Sequence, residues 1–178
     1  MKCHLISLKN VILGIVSLLC ASTGMAGEIG YGDGTSDGKQ SFGGSGHAIK
    51  FTMPDDQTMI KGVKLFCSRY GLPKPPKEDF ELYFMNEDMK DSFKKEKAPY
   101  KLIKRDDAQW YEVKFKESFK APKTFWLIVN FNATANKGVC VHYDSSTGGK
   151  YSKIGMPGAE LQDFGKGGDW MIKIITDK

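Results

Sequence analysis

Apolar and polar residues alternate with a period of two in several short stretches of this chain, which is the pattern of β-strands with one buried face. Residues 80–84 alternate in this way, and so do residues 109–116. In the second stretch Tyr111, Val113 and Phe115 share one face, which we expect to lie in the core. Turn residues separate these stretches, as they do between the strands of all-β domains.

One stretch, residues 124–131, is nearly all apolar and predicts a central strand with both faces covered. Residues 71–76 cannot form the interior of a sheet, because their prolines lack the N–H that the ladder needs. The other predicted strands are residues 47–53, 59–68, 138–143 and 169–176, and a short helical turn is expected near residues 86–93.

About seven or eight short strands without a sustained helical period favour an all-β domain. We predict a two-sheet antiparallel β-sandwich over residues 47–178. Residues 27–46 are rich in Gly and Asp and show no apolar period, so they are expected to form an irregular lead-in. No internal repeat or long linker divides the chain, which indicates one domain.

Residues 1–26 have the composition of a secretory signal peptide. Two lysines precede an apolar stretch at residues 11–21, which is shorter than the roughly 20 residues of a membrane-spanning helix. Small residues then predict cleavage after Ala26, and hence a periplasmic or secreted domain. Two alternatives stay open: an uncleaved N-terminal anchor, and a lipoprotein attached through Cys20, whose preceding leucine is larger than that signal prefers.

The charge balance is mildly basic. The full chain has a net charge of +5, and the chain without residues 1–26 has 24 basic and 21 acidic residues, a net charge of +3. The densest lysine stretch, residues 90–97, is interleaved with acids and predicts a solvated loop. This distribution argues against nucleic acid, which needs a clustered basic face. No second apolar run of membrane length follows, so we expect no membrane span in the mature chain.

Cys67 and Cys140 are the two cysteines after the predicted cleavage site. In an oxidising compartment such a pair suggests a disulfide, which would close a loop of about 70 residues and add roughly 4 kcal/mol in the chain-entropy model. Two buried free thiols explain the same composition, because the sequence does not show whether the Cα atoms lie within bridging distance. Both interpretations are open at this point.

Several short segments, taken in order, resemble a domain of bacterial exported and membrane-anchored proteins for which we know no established catalytic residues. They are residues 37–51 (DGKQSFGGSGHAIKF), 68–71 (SRYG), 75–80 (PPKEDF), 137–139 (KGV), 142–144 (HYD) and 168–173 (GDWMIK). The resemblance covers most of residues 37–176, and the general shape is similar to galactose-binding-like jelly rolls. It implies a jelly-roll fold, and such folds often bind sugars and often hold a structural calcium ion.

The loop at residues 33–38 has Asp and Gly spaced so that carboxylates and backbone carbonyls can wrap a hard cation. Asp33 and Asp37 are the candidate calcium ligands, and Asp169 or Asp177 completes the set if the chain ends meet. The loop is not an EF-hand, because it lacks the required glutamate. A plain turn-rich N-terminus explains the same residues without a metal.

A second group of polar residues stands at predicted strand ends before glycine-rich loops, where sandwich domains commonly bind ligands. The group consists of Arg69, Tyr70, His142, Asp144 and Tyr151. Its charged and imidazole groups can hydrogen-bond sugar hydroxyls, and its tyrosine rings can stack on a sugar ring. The structural alternative is an ion pair between Arg69 and Asp144 that holds the loop.

Trp110 is expected on the polar face of its strand, because it alternates with the predicted core residues. An exposed aromatic ring on a sheet is a platform on which the CH groups of a sugar can pack. The alternative is a cover for a small satellite core. Trp126 and Trp170 lie in strongly apolar strands and are expected in the core.

No catalytic or zinc motif stands out. Ser45, His47, His142 and Asp144 are residue types that serine hydrolases use, but the chain has no Gly-x-Ser-x-Gly motif and nothing places a nucleophile beside either histidine. The sequence therefore favours an exported, non-catalytic binding module for a carbohydrate or another ligand of the cell envelope. The alternative is a protein-interaction domain, such as an adhesin, an inhibitor or an immunity-type partner, and a secreted hydrolase is the weakest of the three.

Overall fold

A computed structural model describes residues 27–55, 58–105 and 107–177. Its strands form two antiparallel sheets, which confirms the predicted all-β sandwich. Within these ranges one 3-10 turn, Tyr100–Leu102, interrupts the run of strands. No helix in these ranges is long and apolar enough to cross a membrane. The predicted signal peptide, with Cys20, lies outside the described residues.

The first sheet, sheet A, has seven strands: β1 (Gly27–Ile29), β2 (Gly38–Gln40), β4 (Met59–Gly71), β7 (Gln109–Lys120), β9 (Lys137–Asp144), β12 (Asp169–Trp170) and β13 (Ile172–Asp177). The long strand β4 pairs with β7 along one edge. Along its other edge it pairs first with β13 and then with β9. The short strands β1 and β2 extend the sheet beyond β13 and β9.

The second sheet, sheet B, has six strands: β3 (Gly46–Thr52), β5 (Asp79–Asn86), β6 (Ser92–Pro99), β8 (Thr124–Asn130), β10 (Ser152–Gly155) and β11 (Gln162–Asp163). Their order is β11-β10-β3-β8-β5-β6, so β8 lies in the interior of the sheet. The predicted central strand with both faces covered is therefore confirmed. Phe125, Leu127 and Val129 face the main core, and Ile128 belongs to a smaller apolar cluster on the outer face.

The main core fills the space between the inner faces of the two sheets. Alternation identified its members on β5 and β7: Phe80, Leu82 and Phe84 are fully buried, and Tyr111 and Val113 are nearly so. These residues bury because every second side chain of a strand points to the same face.

The structure separates the two tryptophans that were expected in the core. Trp170 is fully buried, as predicted. Trp126 is half-buried and packs instead on the outer cluster formed by Ala48, Met85 and Ile128. Successive side chains of β8 point to opposite faces, so Trp126 cannot join its neighbours Phe125 and Leu127 in the main core.

Three segments differ from expectation, and two of them form strands that carry no apolar period. Residues 27–46 contain β1 and β2, each three residues long and defined by backbone pairing to β13 and β9. Residues 92–99 form β6, an edge strand rather than a solvated loop, and lysines are common on such exposed edges. The expected helical turn near residues 86–93 is a tight turn between β5 and β6.

The two cysteines are free thiols, so the disulfide interpretation is wrong. Cys67 lies opposite Val141 in the β4–β9 ladder, and Cys140 lies opposite Ser68. Directly opposed residues share a face of the sheet, and adjacent residues do not. Cys67 therefore points into the core while Cys140 points out of sheet A, which keeps the two sulfur atoms on opposite sides of the sheet.

Candidate functional site

Three aromatic side chains lie side by side on the outer face of sheet A. Trp110 on β7 is directly opposite Phe66 on β4, and their ring centroids are 5.4 Å apart. The imidazole of His142 on β9 meets Phe66 edge to face, with centroids 5.1 Å apart. We call these residues the aromatic row. Trp110 is its most accessible member, with 36% of its surface exposed.

A line of alternating charges runs beside the aromatic row, one residue pair further along the strands. We call it the charge ladder, and its members are Lys173, Glu28, Lys64, Glu112 and Lys114. Lys173 Nζ lies 3.2 Å from Glu28 Oε2, and Lys64 donates a short hydrogen bond to Glu28 Oε1. Lys64 is opposite Glu112 in the β4–β7 ladder, and Lys114 Nζ lies 3.8 Å from Glu112 Oε1. The ladder thus holds three ammonium groups and two carboxylates.

Glu28 is the carboxylate that two lysines share. The hydrogen bond from Lys64 and the nearby ammonium of Lys173 hold the pKa of Glu28 below its ordinary value, despite partial burial of the carboxyl. The same hydrogen bond raises the pKa of Lys64. Both shifts favour the charged forms of Glu28 and Lys64.

Lys173 connects the charge ladder to the aromatic row. Its Nζ lies over the ring of Trp110, 4.8 Å from the ring centroid, which is a cation–π geometry. Lysine reaches this position on a flexible four-carbon chain, so the ammonium can leave the ring without any movement of the backbone.

A cleft of about 230 Å³ opens between Trp110 and the loop at residues 30–34. Its walls include Glu28, Asp33 and Lys173, and Met171 forms part of its apolar surface. We call it the Trp110 cleft. A groove of about 500 Å³ continues from Glu28 along Lys64 and the outer side of β7. Enclosed small-molecule sites usually measure about 300–1,000 Å³, so the cleft suits a ligand that rests partly on the surface and extends into the groove.

Asp144 holds the loop that forms one wall of the cleft. Its Oδ2 accepts a hydrogen bond from the Gly34 N–H at 2.8 Å, and its Oδ1 accepts from the N–H and the hydroxyl of Ser146, at 2.9 and 2.6 Å. Burial alone would raise the pKa of Asp144, but these hydrogen bonds outweigh it and lower the pKa. A Cβ on Gly32, where φ is +92°, would lie 2.2 Å from Asp144 Oδ2, so glycine is required there. Asp144 therefore shapes the cleft from beneath its loop.

His142 lies in the aromatic row with Ser36 as its partner. Ser36 Oγ is 2.5 Å from His142 Nδ1. Burial, and then the positive charge of Lys39 on the neighbouring strand, lower the pKa of His142, which favours the neutral imidazole. The other histidine considered for hydrolase chemistry, His47, lies elsewhere: it is buried, with Nε2 3.1 Å from the carbonyl oxygen of Gln40.

Arg69 and Tyr70 lie at the opposite end of β9 from Asp144. Arg69 is opposite Val139, five residues before Asp144, which is about 17 Å along a strand. Its guanidinium donates to the carbonyls of Leu72 and Pro73, at 2.6 and 2.9 Å. The expected ion pair between Arg69 and Asp144 is therefore wrong. Tyr70 donates to the carbonyl of Thr134 at 2.8 Å.

Tyr151 is also engaged within the fold. Its ring stacks on that of Tyr31, with centroids 3.7 Å apart and planes 5° apart. Its backbone N–H donates to Asp169 Oδ1 at 2.8 Å. Of the six sequence-predicted ligand residues, the structure thus brings Trp110 and His142 together on one face, and Asp144 stands behind the cleft wall.

The three candidate calcium ligands each serve a separate loop contact. Asp33 Oδ1 accepts from the Thr35 N–H at 2.8 Å, and Asp37 Oδ2 accepts from the Ser145 N–H at 2.7 Å. Asp169 accepts from Tyr151. In residues 27–55, 58–105 and 107–177, no three Asp, Glu, His or Cys side chains are grouped to hold a metal ion.

Sequence analysis missed Phe66 and the charge ladder. Phe66 did carry a signal, because it is an apolar residue out of step with Val63 and Leu65, which face the core. The reasoning that put Trp110 on the outer face of the sheet as a candidate ligand platform therefore applies to Phe66 as well. Glu28 carried no such signal, because β1 is too short to show a period.

No known protein family matches this chain, and no curated protein matches it. The geometry of the outer face of sheet A is therefore the basis for a functional assignment.

Proposed function

We propose that this protein is an exported, non-catalytic binding module that holds a carbohydrate at the Trp110 cleft. One observation carries the proposal. Among the large apolar side chains in the part of the chain that the structure describes, only Leu72 and Trp110 are exposed. Of these two, Trp110 borders a cleft lined by carboxylate and ammonium groups.

Sugars need this combination of groups. The CH groups on one face of a sugar ring are apolar and pack on an aromatic ring. The hydroxyl groups at its edge need donors and acceptors, and charged partners make the stronger hydrogen bonds. Trp110 supplies the platform, Glu28 an acceptor and Lys173 a donor. The adjoining groove along Lys64 extends the contact to further sugar units of an oligosaccharide.

Two broader features support the same proposal. The antiparallel sandwich agrees with the sequence resemblance to galactose-binding-like jelly rolls, a class in which sugar binding is frequent. The signal-peptide pattern of residues 1–26 supports a location outside the cytoplasm, where cell-envelope glycans are found.

The test is a screen on an array of bacterial, plant and animal glycans, followed by calorimetry on the best ligand. We expect Trp110→Ala to weaken binding by about 30-fold or more, since truncating an aromatic at the centre of a contact costs about 2 kcal/mol. Leu72→Ala is the matched control, because it removes the other exposed apolar side chain and should leave affinity unchanged. An array without a hit, or a ligand that binds Trp110→Ala as tightly as the wild type, would refute the proposal.

A second candidate function is protein interaction through the proline-rich loop after β4. Leu72 there is 64% exposed, and Arg69 beneath it fixes the loop through the carbonyls of Leu72 and Pro73. A rigid loop that presents an apolar side chain suits a protein partner. This alternative predicts one stoichiometric partner in an envelope extract, lost in Leu72→Asp and retained in Trp110→Ala. The opposite pattern would rule it out.

A further inference from the structure

We infer that the Trp110 cleft selects an acidic sugar, one that carries a carboxylate or a sulfate group, over the matching neutral sugar. The inference rests on the proposed carbohydrate binding and names the ligand class of the same site.

The first observation is the composition of the charge ladder. Three ammonium groups alternate with two carboxylates, and both ends of the ladder are lysines. Lys173 and Lys64 share the single carboxylate of Glu28, so neither has an acid to itself at this position. An anion bound at Lys173 would continue the alternation and neutralise the excess charge.

The second observation is the position of the lysine at one end of the ladder. Lys173 borders the Trp110 cleft and holds its ammonium over the Trp110 ring. A sugar that stacks on this ring brings a substituent at its edge within reach of Lys173. When the ligand carries an anionic group there, the ammonium exchanges the ring face for a charge-assisted hydrogen bond, which is the stronger contact.

Two further charges lie near the cleft, and they have opposite signs. Asp33 on the loop wall is an acid, and one of its carboxylate oxygens accepts a hydrogen bond from the N–H of Thr35 within its own loop. Lys39 lies opposite His142 at the far end of the aromatic row and adds a positive charge there. Within the described ranges Lys39 makes no ion pair with an acid.

The experiment compares ligands that differ only in charge, titrated into the full-length mature protein by calorimetry at low and at moderate salt. One pair is an oligogalacturonate and its methyl ester, and the second is a sulfated galacto-oligosaccharide and its unsulfated form. Any glycan found on the array is tested with its own charged or uncharged counterpart. We expect the acidic member of a pair to bind at least about tenfold more tightly at low salt, and the difference to shrink as salt screens the charges.

Two variants locate the effect. Lys173→Met keeps the apolar stem and removes the charge and the donor, so it should abolish the acidic preference by weakening the acidic member much more than the neutral one. Lys95→Met is the matched control on sheet B. Its ammonium also lies over a ring, 4.5 Å from the centroid of Tyr83, and also pairs with a glutamate, 2.8 Å from Glu81 Oε1. It should keep the full preference.

The outcomes distinguish the two claims, which are carbohydrate binding at the cleft and the preference for an acidic sugar. Equal affinity for the charged and uncharged members, with loss of both in Trp110→Ala, would overturn the acidic preference and leave carbohydrate binding standing. An equal loss of preference in Lys173→Met and Lys95→Met would also overturn it, because the effect would then be a general charge effect. No binding of any member would overturn both. A preference limited to one pair would identify the anionic group as carboxylate or sulfate.

Discussion

The outer faces of the two sheets carry the same pair of side chains in different surroundings. On sheet A, Lys173 lies over Trp110, and on sheet B, Lys50 lies over Trp126, 5.9 Å from its centroid. Each lysine also pairs with a glutamate: Lys50 Nζ is 2.6 Å from Glu87 Oε1. The aromatic–lysine pair alone therefore does not mark a binding site.

The two tryptophans differ in the residues that pack against them. Trp126 packs on the apolar cluster of Ala48, Met85 and Ile128, and Leu161 from the connection between β10 and β11 packs on the same cluster. These contacts leave Trp126 less exposed than Trp110, although Trp126 also borders a groove of about 440 Å³ between residues 87–90 and 158–161. Trp110 has the charge ladder and the smaller cleft beside it. The comparison teaches that the availability of an aromatic ring to a ligand depends on how much of the ring its own chain covers.

The largest expected effect is a difference in the free energy of unfolding between variants on the outer faces of sheet B and sheet A. Ile128→Ala should destabilise the protein by about 3–4 kcal/mol, because it removes a fully buried side chain under Trp126. Trp110→Ala should cost less than about 1 kcal/mol, since surface substitutions away from the core are usually small. Urea unfolding monitored by circular dichroism measures both. Equal losses in the two variants would mean that Trp110 is structural cover and would break the comparison.

A pH titration compares the core with the outer face of sheet A through two histidines, His47 and His142. His47 faces the core, and burial lowers its pKa to about 4. The unfolded chain binds the proton near pH 6.5, so between about pH 6.5 and 4 the unfolded state holds more protons. The contribution of neutral His47 to the free energy of unfolding is therefore fully present above about pH 6.5. It is lost on acidification, by up to about 3 kcal/mol at pH 4.

The variant His47→Gln tests this assignment. It should flatten the dependence of the unfolding free energy on pH between about 4.5 and 6.5, a window that lies above the ordinary titration of carboxylates. His142→Gln is the control, because burial lowers the pKa of that half-buried imidazole in the same direction but its ring lies on the outer face. A slope that survives in His47→Gln would show that His47 is not the buried neutral group.

The smallest expected effect concerns the cysteines, one on each face of sheet A. A reductant should shift the urea midpoint by an amount worth less than about 0.5 kcal/mol, because no disulfide is present to break. Burial raises the pKa of both thiols, first by desolvation, so both should react slowly with a thiol reagent in the folded protein and fully after unfolding. An intact mass lower by two hydrogen atoms would contradict the free thiols.

Much of the fold was predictable because burial imposes a period on the sequence. The alternation in β5 and β7 identified buried residues such as Phe80 and Tyr111 and put Trp110 on the outer face. The same reasoning was available for the cysteines: Cys67 is in step with Leu65, whereas Cys140 is out of step with Val139 and Val141. Because these neighbouring residues were expected in the core, the alternation would have shown that the two thiols point to opposite faces of the sheet.

The rest of the site depends on register, which the sequence does not show. Arg69 and Asp144 looked like partners because both stand near strand ends, and only the pairing of Arg69 with Val139 shows that they lie far apart. Glu28 enters the site through backbone hydrogen bonds of a three-residue strand, which any residue type can make. A strand of three residues is too short to show an apolar period, so its pairing with a strand that is distant in the sequence cannot be predicted from its own residues.

The pairing of β1 with β13 has a consequence for how the site is assembled. Gly27, at the start of β1, is opposite Thr176, near the end of the chain. Glu28 can therefore contact Lys173 only after the final strand, β13, has been synthesised. Because a chain is made from its N-terminus, β1 must remain unpaired until β13 follows, so the contact between Glu28 and Lys173 is among the last that the nascent domain can form. A chain that stops before Ile172 would lack Lys173 and leave β1 without its partner strand.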